Sequence, residues 1–186
     1  MSDETGPSLI WDRQQPDLII AGRHLYLRPA SHLPHRPDAI VVEQDSWLVL
    51  GEQSVLHEDK VPAWVQANQL EDSPRYSPGS VIPKPGKPHR LLAIVYDLEL
   101  QPICRPAWVE MALFSILQYC HAHHLAHMQL PLLGCRRGGI ELEQFIALLE
   151  SALTQYRGKD PAAILIALPD ESMRRELLQE FKQAIE

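Results

Sequence analysis

The sequence predicts an α/β protein: a three-layer α/β/α sandwich around a mixed, mostly parallel central sheet. From Leu91 onward, apolar runs of strand length alternate with helical patterns three times. Such alternation gives right-handed crossovers and a parallel sheet with helices on its faces. The first half adds short strands with poor helical patterns between them, which makes the sheet mixed. With 186 residues, 45% of them hydrophobic and 22% charged, the chain has the size and composition of one soluble domain.

Residues 1–16 are polar and carry no periodic pattern, so they read as an N-terminal tail, with residues 17–186 forming the domain. Leu18-Ile19-Ile20 and Leu25-Tyr26-Leu27 flank Ala21-Gly22 and predict two short strands joined there. A proline-rich loop follows from Pro29 to Pro37. Asp38 to Gln44 is a continuous apolar run typical of a buried parallel strand, and the apolar pattern continues through Ser46 to Leu50. Residues 59–70 predict a helix with Pro62 in its first turn and Val61, Trp64, Val65 and Leu70 on one face. Residues 71–89, rich in Pro, Gly and Ser, read as a linker or a lid, with a brief strand at Val81 and Ile82.

Leu91 to Leu98 is the strongest strand signal of the middle region. Pro106 then stands at a first helical position, and the helix runs to about His124 with Val109, Leu113, Ile116, Leu117 and Cys120 at helical spacing. Met128 to Leu133 is the next strand. Glu141 to Gln155 is an amphipathic helix burying Leu142, Phe145, Ile146, Leu149 and Leu153, and Gly158 is expected to end it. Ala162 to Leu168 is the last strand, and Asp170 to Ala184 the last helix, with Met173, Leu177, Leu178 and Phe181 inward.

The candidate site is the stretch Leu130-Pro-Leu-Leu-Gly-Cys-Arg-Arg-Gly-Gly-Ile140. A strand ends at Gly134, and a helical pattern opens at Ile140. The first N–H groups of a helix lack intrahelical partners and sit at the positive end of its dipole, which suits an anion. Glycine lets the chain turn and lets a ligand approach the backbone. Gly134, Cys135, Arg136, Arg137, Gly138 and Gly139 are therefore the expected ligand-binding residues, with an arginine as a charge clamp. The alternative is a plain strand-to-helix connection.

These residues, in this order of elements, resemble the macro domain family across roughly residues 17–185. Asp38-Ala-Ile-Val is similar to the family's strand entering its Asn-rich ligand loop, and Leu91 to Asp97 to its next central strand. Leu130 to Gly139 resembles the second phosphate loop, and Ala162 to Leu168 the last strand. The resemblance implies a macro-type sandwich binding ADP-ribose or a related nucleotide or phosphorylated metabolite, and some family members hydrolyse ADP-ribosyl links. The family usually has Asn-Ala-Ala-Asn where this chain has Val42-Glu43-Gln44-Asp45. Asp45 is thus the candidate stand-in for the asparagine used by hydrolytic members. Gly51 stands alone where the first glycine-rich loop is expected.

Other features set bounds. The net charge of −7 argues against a general nucleic-acid surface, which needs a clustered basic patch. No apolar run is long enough to span a membrane, and the polar N-terminus does not suit a secretory signal. Cys104, Cys120 and Cys135 form no disulfide framework, so a reducing cytoplasm is expected. Cys135 beside two arginines has surroundings that lower a thiol pKa, although a structural role is the commoner outcome. His121, His123, His124 and His127 read as favourable charges at a helix C-terminus rather than as a metal site. No metal or cofactor is expected. Glu43, Asp45 and Asp97 lie near strand ends, where one could orient a ribose hydroxyl or a water. Trp47, Trp64, Tyr76 and Trp108 read as packing residues.

Three functions follow: ligand binding, hydrolysis of ADP-ribosyl groups or a similar ester, and a protein-interaction module that has lost its ligand. An open cleft between residues 44–52 and 134–139 favours binding. A cleft filled by Trp47, Glu52 or Arg136 favours the interaction module.

Overall fold

Seven strands form one sheet in the computed structural model, which describes residues 15–29, 37–50 and 75–185. They are β1 (Leu18–Ile20), β2 (Arg23–Pro29), β3 (Ala39–Asp45), β4 (Val81–Lys84), β5 (His89–Tyr96), β6 (His127–Leu130) and β7 (Ala163–Leu168). The described helices are α1 (Pro106–Ala122), α2 (Leu142–Gln155) and α3 (Glu171–Ile185). The sheet order is β1-β2-β7-β6-β3-β5-β4. The five inner strands run parallel, and β1 and β4 close the edges antiparallel. The predicted class, α/β with a mixed and mostly parallel sheet, is the observed one.

Alternation along each strand decides what is buried where. Leu25, Leu27, Val41, Ala93, Val95, Met128, Leu130, Ile164 and Ile166 join one apolar cluster with the inward residues of all three described helices. Those residues include Val109, Leu113 and Ile116 of α1, Phe145, Ile146 and Leu149 of α2, and Leu177 and Phe181 of α3. Each such side chain contributes about 1.5–3 kcal/mol on leaving water. Tyr26, Ala163 and Leu165 form a separate small cluster.

The local chemistry of the joints is readable. Ala21 and Gly22 both take positive φ, which is what a two-residue hairpin between β1 and β2 requires. Pro106 opens α1, where its missing N–H costs nothing. Asp170 caps α3 by accepting the Met173 N–H at 3.0 Å. Asp38 ties β3 to β6: its Oδ2 accepts the His127 N–H at 2.9 Å.

Three expectations change. Ser46 to Leu50 is a loop, although its composition suits a strand, because the Asp45 carboxylate gathers its backbone N–H groups. β6 stops at Leu130, since Pro131 has no N–H to continue the ladder, whereas α2, with Glu141 at its N-cap, matches the expected helix. Gly158 does not end α2, whose cap is Tyr156 in extended conformation. The Gly158 carbonyl instead accepts from Arg23. Val81 and Ile82 do lie in a strand, β4, at the sheet edge. The predicted helix over 59–70 and most of the tail lie outside the described residues. No described helix is long and apolar enough to cross a membrane.

Arg23 is the joint that sequence did not announce. It is only 4% exposed. Its guanidinium donates to the carbonyls of Leu153 at 3.1 Å and Tyr156 at 3.4 Å, as well as to Gly158. It thus satisfies the carbonyls left over where α2 ends. Arg23→Met keeps the aliphatic stem and removes the donors. The expected loss is about 2–3 kcal/mol, read as a lower urea midpoint; an unchanged midpoint contradicts this role.

Candidate ligand cleft

β3 and β6 are neighbours and parallel, so the segments following them meet at one edge of the sheet. A cleft of ≈ 600 Å³ runs from there back along one face of the sheet to the strand starts, within the usual size range for small-molecule sites. Ile40, Val42 and Glu43 line it from β3, Pro131, Leu132, Cys135 and Arg136 from the turn after β6, and Leu168, Pro169 and Met173 from the end of β7 and the start of α3. Arg90 and Gln129 also line it, both in register with Ile40 across three adjacent strands. The wall is mostly apolar with a few polar groups.

The turn holds itself together. The Leu132 carbonyl accepts from Cys135 N at 3.1 Å, and the Gly134 carbonyl from Gly138 N at 3.0 Å and Ile140 N at 3.3 Å. Gly134 and Gly139 take φ of +79° and +68°, a region that favours glycine. A methyl group at Gly134 would meet Ile140, the Cys104 thiol at 3.0 Å and Val109, while one at Gly138 would run into Cβ and Sγ of Cys104. These two glycines therefore let the turn close against Cys104, in the connection ahead of α1.

Beneath the turn sits Glu43. Its Oε1 accepts the Gly134 N–H at 2.6 Å and the Tyr96 hydroxyl at 2.9 Å. Burial pushes its carboxyl above the ordinary glutamate range, outweighing those two hydrogen bonds and the charges of Arg136 and Arg137. The first amide of the turn is thus already satisfied by a side chain of this protein.

Each predicted residue has a definite place. Cys135 and Arg136 line the cleft. Gly134 and Gly138 back onto Cys104, whereas a methyl group at Gly139 would meet nothing within 4 Å. The charge of Arg137 bears on Glu43 and Tyr96. Asp45 is fully buried, and its carboxylate accepts from Trp47 N at 2.8 Å and from Val49 N and Leu50 N, both at 2.9 Å. It shapes the loop after β3. Gly51 lies outside the described residues. The Cys135 thiol is pushed up to about 12 by burial and then by Glu43, the reverse of what two adjacent arginines suggested.

The remaining candidates take structural positions. Asp97 is buried and accepts from Arg75 at 2.6 Å, while Arg75 also lies over the Trp47 ring. The histidines gather at the opposite end of the sheet. His89 meets the Tyr119 hydroxyl at 3.0 Å, His123 stacks on the Tyr119 ring, and His124 and His127 face Asp160 and Asp38. No group of three metal-ligating side chains occurs among the described residues.

No protein-family model matches the sequence, and no curated protein does. Solved structures do. A point mutant of the Oceanobacillus iheyensis macrodomain with ADPR is 15% identical, over 90% of this chain and 97% of that one, at a TM-score of 0.67. The Oceanobacillus iheyensis macrodomain with ADP gives 0.66 at 14% identity, over 90% and 95%. The macro domain of ganglioside induced differentiation associated protein 2 gives 0.59 at 12% identity, over 92% of each. The chain has a macrodomain fold.

Within this macrodomain fold, sequence reasoning placed the turn but missed its companions. Leu168, Pro169 and Met173 were read as core or connection, yet they wall the cleft. Glu43, one of the candidate carboxylates, is the first charge after the apolar run Ala39 to Val42, and it does line the cleft.

Two outcomes follow. Gly138→Ala forces Cys104 and the turn apart and is expected to cost about 1–3 kcal/mol, visible as a melting point several degrees lower; an unshifted melt rejects the contact. For Glu43, the folded protein holds the proton more tightly than the unfolded chain. Its contribution to stability is therefore complete below the ordinary glutamate range and fades as pH rises through the raised value. Glu43→Gln keeps an acceptor for Gly134 and Tyr96 but does not titrate. Melts from about pH 4 to about pH 8 should show the variant gaining on the wild type as pH rises; parallel curves contradict the assignment.

Proposed function

We propose that this chain binds ADP-ribose, or a related nucleotide or phosphorylated metabolite, in the cleft between the ends of β3, β6 and β7. The single observation that carries this reading is that the described residues form a cleft with Arg136 of the Gly134–Gly139 turn beside an apolar wall of Leu168, Pro169 and Met173. In this reading the diphosphate lies along the turn, held by Arg136, and Arg137 adds positive charge; the N–H groups of Gly134, Cys135 and Gly138 are taken up within the protein and shape the turn instead. The apolar wall receives the base. Asp45 acts through the loop it folds, and Gly51 follows that loop. The Oceanobacillus iheyensis macrodomains described with ADPR and ADP share the fold and support the choice of ligand class.

Binding is favoured over hydrolysis. Asp45, the candidate for activating water, is fully buried and accepts three backbone N–H groups of its own loop. The interaction-module reading calls for Trp47, Glu52 or Arg136 to fill a cleft between residues 44–52 and 134–139; Arg136 lines the observed cleft, which borders residues 40–43 rather than 44–50, and Glu52 lies outside the described residues. Three free cysteines suit the cytoplasm.

Calorimetric titration with ADP-ribose tests the proposal. Arg136→Ala is expected to weaken binding roughly tenfold or more, the worth of one charge-assisted hydrogen bond. Met173→Arg should also weaken it by crowding the apolar wall. No heat and no thermal shift at millimolar ADP-ribose rejects the proposal.

A further inference from the structure

Glu43 is the only acid among the described residues that line the cleft. Its Oε1 is held by the Gly134 N–H from the turn and by the Tyr96 hydroxyl from β5. The hydrogen bonds from described residues go to Oε1, and none goes to Oε2. The groups facing this carboxyl are the Tyr96 hydroxyl on β5, the charges of Arg136 and Arg137 with the Cys135 thiol on the turn, and the Cys104 thiol ahead of α1. The arginines favour the ionised form, and burial disfavours it more strongly.

A phosphate oxygen brought beside Arg136 therefore meets a fixed carboxyl group. An ionised Glu43 repels it and offers only acceptors, whereas a neutral one offers an O–H donor in the same place. We propose that Glu43 binds the ligand as a carboxylic acid, donating a hydrogen bond from Oε2 to an anionic ligand oxygen, so that binding takes up one proton from solvent. No covalent bond of the ligand changes. Glu43 is thus a ligand-binding residue that sets a preference for an acceptor-only group at this position. This rests on the cleft being the site proposed above.

The test is calorimetry of ADP-ribose in two buffers of different ionisation enthalpy, from about pH 6 to about pH 8. The two phosphates of ADP-ribose each ionise well below this range, so any proton uptake belongs to the protein. The expected result is uptake approaching one proton at the upper end, with affinity falling by up to about tenfold per pH unit. Glu43→Gln places an amide N–H where the acid proton stood. It should bind with no uptake, with a flat pH profile, and more tightly than the wild type at the upper end. Binding with no proton uptake by the wild type, at a pH where the melts against Glu43→Gln show free Glu43 to be ionised, overturns this inference and leaves the proposed function standing. Identical pH profiles for wild type and variant also overturn it. Sulfate, which does not titrate in this range, serves as a second probe. If neither ADP-ribose nor sulfate binds either protein, the proposed function and this inference fall together.

Discussion

The hydrogen bond from the Gly134 amide to the Glu43 carboxyl joins the two halves of the cleft. It runs between the end of β3 and the turn after β6, elements separated by most of the chain's middle. Parallel pairing of β3 with β6 brings the strands together only at Ala39 and Ile40, near their start. Beyond that point the edge is held by this side chain and by Tyr96, which anchors the same oxygen from β5. Three adjacent strands thus converge on one atom.

A buried carboxyl in that position is an expensive group unless its charge is neutralised or its oxygens are bonded. Both means are present here, two donors on Oε1 and two arginines nearby, and burial still prevails in setting the proton affinity. The environment is strongly tuned around a single oxygen pair at the mouth of a cleft, and such tuning is more common where a ligand is handled than in ordinary core. Burial, and then the charge of Glu43, pushes the neighbouring Cys104 and Cys135 thiols up, to about 11 and about 12, which leaves both neutral.

The strands and helices were legible because their patterns were long and apolar. Leu91 to Leu98 and Ala162 to Leu168 admit few other fates, and β5 and β7 fall within them or close to them. Ser46 to Leu50 has equally apolar letters, and only the Asp45 carboxylate, collecting three N–H groups, makes it a loop. A periodicity cannot foresee a side chain competing with a neighbouring strand for backbone donors. Arg23 was invisible for a related reason: its partners lie some 130 positions away. Of the candidate site, the turn itself was legible from its glycines and arginines. The opposite wall was not, because Leu168, Pro169 and Met173 look like any strand-to-helix connection until the sheet order sets β7 beside β6.

The closure of the turn on Cys104 divides its residues by how freely they can change. Gly134 and Gly138 are fixed by what lies behind them, since any side chain there collides with the core. Cys135 and Arg136 project to the other side, into the cleft. Substitution of Arg136 changes the lining of the cleft and leaves the contacts of the glycines with Cys104 in place. Under the function proposed above, ligand choice can therefore shift through the cleft-facing position while the glycines stay as they are.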